Sequence, residues 1–218
     1  NIKLPFEQSA NEVIEGDHKL ITYNYFFTRK LAFVKEADAV ALFPGGFGTM
    51  DEGFEVMTLI QTGKAAILPI VMVDVAGGSY WKTFKQFLKE HLLRLGLISA
   101  EDLNLFKIVD DVDEAVTEIL TFYSNFHSYR FIKDVMVIRM HHGLSAETLA
   151  SINADFCDIL KSGEFTCCAA HPEEANETHL LGMPRLSFRA KRGKAGRIRQ
   201  LIDRINAAAP GVMPCQEK

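Results

Sequence analysis

The stretch at residues 44–52 reads PGGFGTMDE and constrains the fold more than any other part of the chain. It follows a short apolar run at residues 39–43 and precedes a helical pattern. Gly45, Gly46 and Gly48 allow positive φ and let the backbone approach a ligand closely. Because the first amides of a helix have no intrahelical partners, a strand, a glycine-rich turn and a helix start form a backbone cradle for phosphate. The sequence therefore predicts a phosphorylated small-molecule ligand.

A purely structural interpretation of the same stretch stays open. Thr49 and Glu52 have the spacing of the N-cap and N3 residues of a capping box, in which the two residues satisfy each other's backbone amides. A glycine-rich turn before such a capped helix needs no ligand. The stretch is not a Walker A motif, because no Gly-Lys-Ser/Thr follows, and it lacks the spacing of a dinucleotide-binding turn.

These nine residues resemble the PGGxGTxxE signature of the LONELY GUY (LOG) family, which also carries the older description "lysine decarboxylase-like". Upstream, the Arg-Lys pair at positions 29 and 30 and the Ala-Asp-Ala at residues 37–39 resemble the family's Arg-Lys helix and the entry to its next strand. Downstream, residues 73–81 resemble its Asp…Gly-Tyr loop. The resemblance covers the chain from its start to about position 120.

The resemblance implies a reaction and a set of site residues. Members of the family cleave the N-glycosidic bond of nucleoside 5′-monophosphates to a free base and ribose 5-phosphate. By resemblance, Arg29 and Glu52 form the catalytic pair. The residues that fall on the phosphate loop are Gly45, Gly46, Gly48 and Thr49. A homodimer or higher homo-oligomer is expected on the same grounds, and a non-catalytic nucleotide-binding or regulatory protein of the same fold is the alternative function.

The older description predicts a different chemistry, which the sequence does not support. A lysine decarboxylase needs a lysine Schiff base with pyridoxal phosphate and an acidic partner for the ring nitrogen. Lys64 follows a glycine at a predicted helix end, but no such constellation surrounds it. The adjacent His141 and His142 diverge at a strand end and have no further ligand at metal-binding spacing. We therefore expect no cofactor and no metal.

The order of elements predicts an α/β fold in two parts. In residues 1–127, apolar strands alternate with helices, which predicts a Rossmann-like parallel sheet. Asn24 is expected to cap the helix that ends near position 36. In residues 128–209, the pattern β-α-β-β-α, with a helix at residues 146–161, predicts a small ferredoxin-like α+β module. Residues 210–218 are expected to form a tail.

The first residues suggest that the parallel sheet is incomplete at its N-terminus. Residues 2–8, IKLPFEQ, resemble a stretch that follows a first β-α-β section in longer LOG-like proteins. That section carries a second glycine-rich turn, which has no counterpart in the sequence before this stretch. We therefore expect this chain to be part of a longer protein. The missing turn favours a non-catalytic binding protein, or a truncated chain with the fold but without turnover, over full activity of these 218 residues.

Charge and composition exclude several classes of function. The net charge of −4 argues against a nucleic-acid-binding surface, although residues 191–204 form a local basic run. No apolar run is long enough to cross a bilayer, and no signal-peptide pattern begins the sequence. The four cysteines have no metal-binding spacing and fit reduced thiols. A cytoplasmic protein without membrane or nucleic-acid partners is expected.

Overall fold

A computed structural model describes residues 2–3 and 12–211. The predicted tail therefore lies outside the described residues from position 212 onward, as does most of the IKLPFEQ stretch. In the first part of the chain, strands alternate with helices as predicted. The elements are β1 (Ile2–Lys3), β2 (Ile21–Thr22), α1 (Phe26–Lys35), β3 (Val40–Leu42), α2 (Phe47–Gln61), β4 (Ile70–Val73), α3 (Tyr80–Phe87), β5 (Phe106–Val109) and α4 (Val112–Phe122).

A three-stranded parallel sheet in the order β3-β4-β5 forms the centre of this part. All four residues of β4 are buried, which is expected of a parallel strand covered on both faces. Ile70 and Met72 belong to the main hydrophobic core, whereas Val71 and Val73 pack in a second, smaller cluster that includes Ala115 of α4. Strands β1 and β2 form a separate parallel pair. The predicted Rossmann-like α/β class is confirmed.

The second part contains a four-stranded antiparallel sheet and two helices. Its elements are β6 (Phe126–Ile132), β7 (Val135–Met140), α5 (Ala146–Asp155), β8 (Leu160–Cys168), β9 (Arg185–Ala190) and α6 (Ala195–Asn206). The strands are arranged in the order β6-β7-β9-β8. The chain order is therefore ββαββα, and a cyclic shift of it gives the β-α-β-β-α-β order of a ferredoxin-like fold.

Three local predictions are wrong. Strand β6 was absent from the predicted order; its sequence FHSYRFI mixes polar and aromatic residues without clean alternation. Helix α5 ends at Asp155 rather than near position 161, because the side chain of Asn153 bonds both the N–H and the C=O of Phe165 and draws β8 against the helix. Helix α1 has Tyr25 as its N-cap, so Asn24 does not cap it.

The two parts share contacts along α6. Gly196 lies so close to the short 3₁₀ helix Ala100–Asn104 that an added Cβ would stand 1.9 Å from the carbonyl oxygen of Glu101. Arg199 of α6 bonds Glu118 of α4 at 2.6 Å. One hydrophobic core contains residues of both parts. The division at residues 127 and 128 stays a prediction. Among the described residues, no helix is both long and apolar enough to cross a membrane.

Candidate active site

The glycine-rich turn leads directly into helix α2, which begins earlier than the sequence predicted. Gly46 is the N-cap, and the first intrahelical bond runs from the Met50 N–H to the Gly46 carbonyl at 3.2 Å. Thr49 therefore lies inside the first turn, and the predicted capping box between Thr49 and Glu52 is wrong. Gly46 is in an extended conformation, and as the N-cap it starts the helix without a side-chain hydrogen bond to the first amides. The amides of Phe47, Gly48 and Thr49 are thus left as the helix's first donors.

Open space surrounds the side-chain positions of this first turn. A Cβ added at Gly46 or Gly48 would meet no atom within 4 Å, and the Phe47 side chain is 97% exposed. Gly45 is different, because a Cβ there would lie 2.2 Å from Thr49 Oγ1. A side chain at position 45 would therefore displace Thr49, whereas Gly46 and Gly48 leave room for an approaching ligand. We call residues 45–49 the phosphate cradle.

A loop after β4 supports the cradle from one side. The Tyr80 hydroxyl donates to the Gly45 carbonyl at 2.5 Å. Asp74 accepts hydrogen bonds from the N–H groups of Val75 at 2.9 Å and Trp81 at 3.3 Å, which fixes the start of α3. Gly78 packs against the Asp74 carboxylate, where a Cβ would stand 2.2 Å from Oδ1. The sequence resemblance singled out this loop but gave no role to Tyr80, because a contact across 35 residues leaves no local signal.

Helices α1 and α2 bring the two predicted catalytic residues together. Arg29 Nη2 lies 3.6 Å from Glu52 Oε1, and each side chain is about one-fifth exposed. The Arg29 guanidinium carbon also stands 5.1 Å from the centre of the Phe26 ring, within cation–π range. The pair is therefore positioned, and one buried carboxylate oxygen of Glu52, Oε2, has no hydrogen-bond partner among the described residues.

Lys30, which the sequence analysis gave no role, links two neighbouring carboxylates. Its Nζ lies 2.6 Å from Asp51 Oδ2 and 2.7 Å from Glu55 Oε2, and the side chain is only 10% exposed. Burial alone would lower the pKa of Lys30, but hydrogen bonds to Asp51 and Glu55 and the nearby charge of Glu52 raise it above its usual value. Lys30 therefore stays protonated and fixes the carboxylates that flank Glu52.

The environment of Glu52 disfavours the ionised form of its carboxyl group. Burial raises the pKa of Glu52 above its usual value, and the carboxylates of Glu55 and Asp51 add to that effect, while Lys30 and Arg29 partly offset it. A carboxyl group with a raised pKa among fixed charges is typical of a functional site. Among the described residues, no three His, Cys, Asp or Glu side chains are grouped as metal ligands.

The parallel sheet and the open helix start after β3 define a Rossmann-like α/β protein. The chain matches the family described as "possible lysine decarboxylase" over residues 2–119, which is more than half of its 218 residues, and it belongs to that family. The match contains the cradle, Arg29, Glu52 and Tyr80, and it confirms the predicted LOG-type membership. A search of curated proteins gives no match.

Proposed function

We propose that this protein hydrolyses the N-glycosidic bond of a nucleoside 5′-monophosphate to a free base and ribose 5-phosphate. The observation that carries the proposal is the Arg29–Glu52 pair beside the open first turn of α2. The amides at the start of α2 suit an anion, and the Glu52 carboxylate suits a developing positive charge. Family membership and the resemblance of the cradle to the LOG signature support the same reaction.

The cradle explains why the proposed substrate carries a 5′-phosphate. The amides of Phe47, Gly48 and Thr49 point out of the helix start, where the helix dipole favours negative charge. Glu52 follows Phe47 by five residues, which places it about 7.5 Å further along the helix axis. That span suits a nucleotide whose 5′-phosphate binds at the amides and whose ribose lies alongside Glu52. Anchoring of the phosphate then positions the glycosidic bond.

The reaction needs little beyond these groups and a water molecule. As the bond between C1′ and the base nitrogen breaks, its electron pair leaves with the base and the ribose gains positive charge. The Glu52 carboxylate stabilises that charge, as carboxylates do in other glycosidic cleavages. Water adds its oxygen to C1′, and its proton completes the departing base. Arg29 holds Glu52 in place and offers donors to the ribose or the base.

The lysines of the chain do not fit the chemistry in the family's description. A Schiff-base lysine must become neutral, which requires a lowered pKa. Lys30 lies among the site carboxylates, but its pKa is raised. Lys64 is exposed and has no ion pair with a carboxylate in the part of the chain that the structure describes. These residues do not fit pyridoxal phosphate, and this supports a hydrolase over a decarboxylase.

A product assay separates the proposed hydrolase from a non-catalytic nucleotide-binding protein. The chain is incubated with each common purine and pyrimidine nucleoside 5′-monophosphate, and free base and ribose 5-phosphate are quantified. We expect equal amounts of both products from at least one nucleotide, formed about 10²–10³-fold more slowly by the Glu52→Gln variant. Nucleotide binding without product would support the regulatory alternative. Absence of both binding and product would contradict both functions.

A further inference from the structure

A cavity of about 750 Å³ lies between the two parts of the chain, away from the phosphate cradle. Its walls come from the end of α2 and the loop after it, from the turn between β6 and β7, and from the loop before α6. None of the cradle residues, Arg29 or Glu52 lines it. Because α2 has 15 residues, its two ends are separated by about 20 Å. We call this cavity the basic crevice.

The crevice concentrates positive charge in a chain whose net charge is −4. Among the described residues that line it, Asp134 is the only acidic one, and it lies 3.8 Å from Arg189. The cationic lining residues are Lys64, Lys133, Lys161, Lys191, Arg192 and Lys194. The local balance of six cations against one carboxylate is opposite in sign to the charge of the whole chain. Such a concave, single-sign surface raises the local concentration of anions.

Most of these cations have no carboxylate partner. Lys194 pairs with Glu101 at 3.4 Å, and Lys191 donates to a backbone carbonyl, that of Asp158. Among the described residues, the structure gives no ion pair for the remaining four, which are Lys64, Lys133, Lys161 and Arg192. Their charges are thus available to a ligand.

The basic run at residues 191–204, noted in the sequence, divides into two groups in the structure. Arg197 pairs with Asp158 at 2.8 Å and Arg199 pairs with Glu118 at 2.6 Å. These two arginines are therefore engaged in ion pairs within the protein. The residues before them, 191–194, line the crevice instead. The start of α6 adds partial positive charge and the end of α2 partial negative charge, and these two contributions offset each other. The side-chain cations therefore set the sign of the site.

The floor of the crevice is apolar and partly aromatic. Phe131 is 54% exposed and stands edge-on to Tyr129, with ring centres 6.2 Å apart. The Tyr129 hydroxyl accepts a hydrogen bond from the Ile67 N–H at 3.2 Å, which fixes its ring against the loop after α2. An exposed aromatic ring inside a cationic rim suits a ligand with both an apolar body and several negative charges.

We propose that the basic crevice binds a small, multiply phosphorylated metabolite, separately from the proposed nucleotide site. Its phosphates lie among Lys64, Lys161 and Arg192, and its apolar part lies against Phe131. A small anion fits better than a nucleic acid. The cations converge on one cavity instead of following an extended track, and the net charge of −4 repels a long polyanion.

The test uses tripolyphosphate as the probe and isothermal titration calorimetry as the measurement. In the crevice variant, Lys64→Gln, Lys161→Gln and Arg192→Gln are combined. A matched control combines Lys35→Gln, Lys89→Gln and Arg94→Gln, which are also exposed and change the net charge equally. Because the cradle is intact in all three proteins, any binding of the probe there contributes equally to each titration. We expect binding by the crevice variant to be about tenfold weaker than by wild type, and binding by the control to change less than about twofold.

A second measurement locates the probe. Acetylation of lysines by a reactive ester, followed by mass spectrometry, should show protection of Lys64 and Lys161 by tripolyphosphate and none of Lys89. Equal loss of affinity in both variants, or no protection, would overturn the proposal. Tighter, crevice-dependent binding of a single-stranded oligonucleotide than of tripolyphosphate would overturn it in favour of nucleic acid. Nucleotide hydrolysis is scored separately, so failure here leaves the proposed reaction untouched.

Discussion

At the scale of single residues, the site holds three carboxylates near two cations. Asp51 and Glu55 bind Lys30, while Glu52 faces Arg29. Burial and the two neighbouring carboxylates raise the pKa of Glu52, and the two cations offset only part of that effect. The sequence resemblance predicted that Arg29 and Glu52 belong together, and the structure places them 3.6 Å apart. It could not predict the role of Lys30, since that role depends on how two helices pack.

Replacement of Glu52 by Gln should separate function from stability. The amide keeps the shape but loses the charge that stabilises the ribose cation, so kcat should fall by about 10²–10³-fold, or roughly 2–4 kcal/mol. Because the fold raises the pKa of Glu52, the neutral side chain should leave Tm at pH 7 unchanged or higher. The control is Glu36→Gln, an exposed carboxylate outside the site. Unchanged turnover with a lower Tm would assign Glu52 a structural role.

The pH dependence of turnover should show the same raised pKa. Only the ionised Glu52 stabilises the transition state, so kcat/KM should fall as pH drops through a pKa above the usual value of 4.5. In the window between 4.5 and the raised pKa, the folded chain binds more protons at Glu52 than the unfolded chain does. The contribution of Glu52 to stability therefore increases as the pH falls through that window. A kinetic acid limb at or below pH 4.5 would contradict this assignment.

Removal of Lys30 should destabilise the site without a change in its catalytic groups. In Lys30→Met, the carboxylates of Asp51, Glu52 and Glu55 lose their shared cation and repel each other. We expect a loss of about 1–2 kcal/mol in the free energy of unfolding, measured by urea denaturation at pH 7. The loss should shrink at low pH, where the carboxylates are neutral. A loss that does not depend on pH would point to packing instead of charge.

At the scale of elements, the strand–turn–helix unit was predictable in order but not in its helix start. The glycine-rich turn between β3 and α2 is where the sequence placed it. The capping-box spacing of Thr49 and Glu52 was misleading, because the helix already begins at Phe47 with Gly46 as its N-cap. A four-residue pattern does not record whether a glycine before it starts the helix. Strand β6 was missed for a related reason: its partner β7 fixes it by pairing, which local alternation does not record.

Gly45→Ala tests the shape of the cradle. The new Cβ would lie 2.2 Å from Thr49 Oγ1 and 3.0 Å from Thr49 Cβ, so the Thr49 side chain and the first turn of α2 that carries it must shift to relieve the contact. We expect affinity for inorganic phosphate, measured by calorimetry, to fall about tenfold or more, because the amides no longer converge. The double variant Gly45→Ala/Thr49→Ala, which removes the hydroxyl, should recover part of that affinity. Wild-type affinity in Gly45→Ala would show that phosphate does not bind at this turn.

At the scale of the whole molecule, apolar side chains remain exposed along the parallel part. Helix α4 packs one face against the sheet, yet Val112, Val116 and Leu120, spaced four residues apart, are 49–68% exposed on another. A continuous apolar stripe of this kind is typical of an interaction surface. It fits the homo-oligomer that the family resemblance implies. The sequence could predict that α4 is amphipathic, but not which apolar residues remain uncovered.

Charge in the α4 stripe should weaken self-association. We expect the 218-residue chain to sediment as a dimer or larger species at micromolar concentration, and Val116→Lys/Leu120→Lys to shift it towards monomer. The control is Lys107→Gln, which alters a surface ion pair near the same helix. A monodisperse wild-type monomer in analytical ultracentrifugation would contradict this prediction.

We propose that one site joins the phosphate cradle to the Arg29–Glu52 pair. The most direct test of this proposal compares kcat/KM for a nucleoside 5′-monophosphate with that for the same nucleoside without phosphate. If the amides of Phe47, Gly48 and Thr49 anchor the substrate so that Glu52 reaches the glycosidic bond, removal of the phosphate should lower kcat/KM by about 10²-fold or more. Equal values for the two substrates would show that the cradle and the pair do not act together.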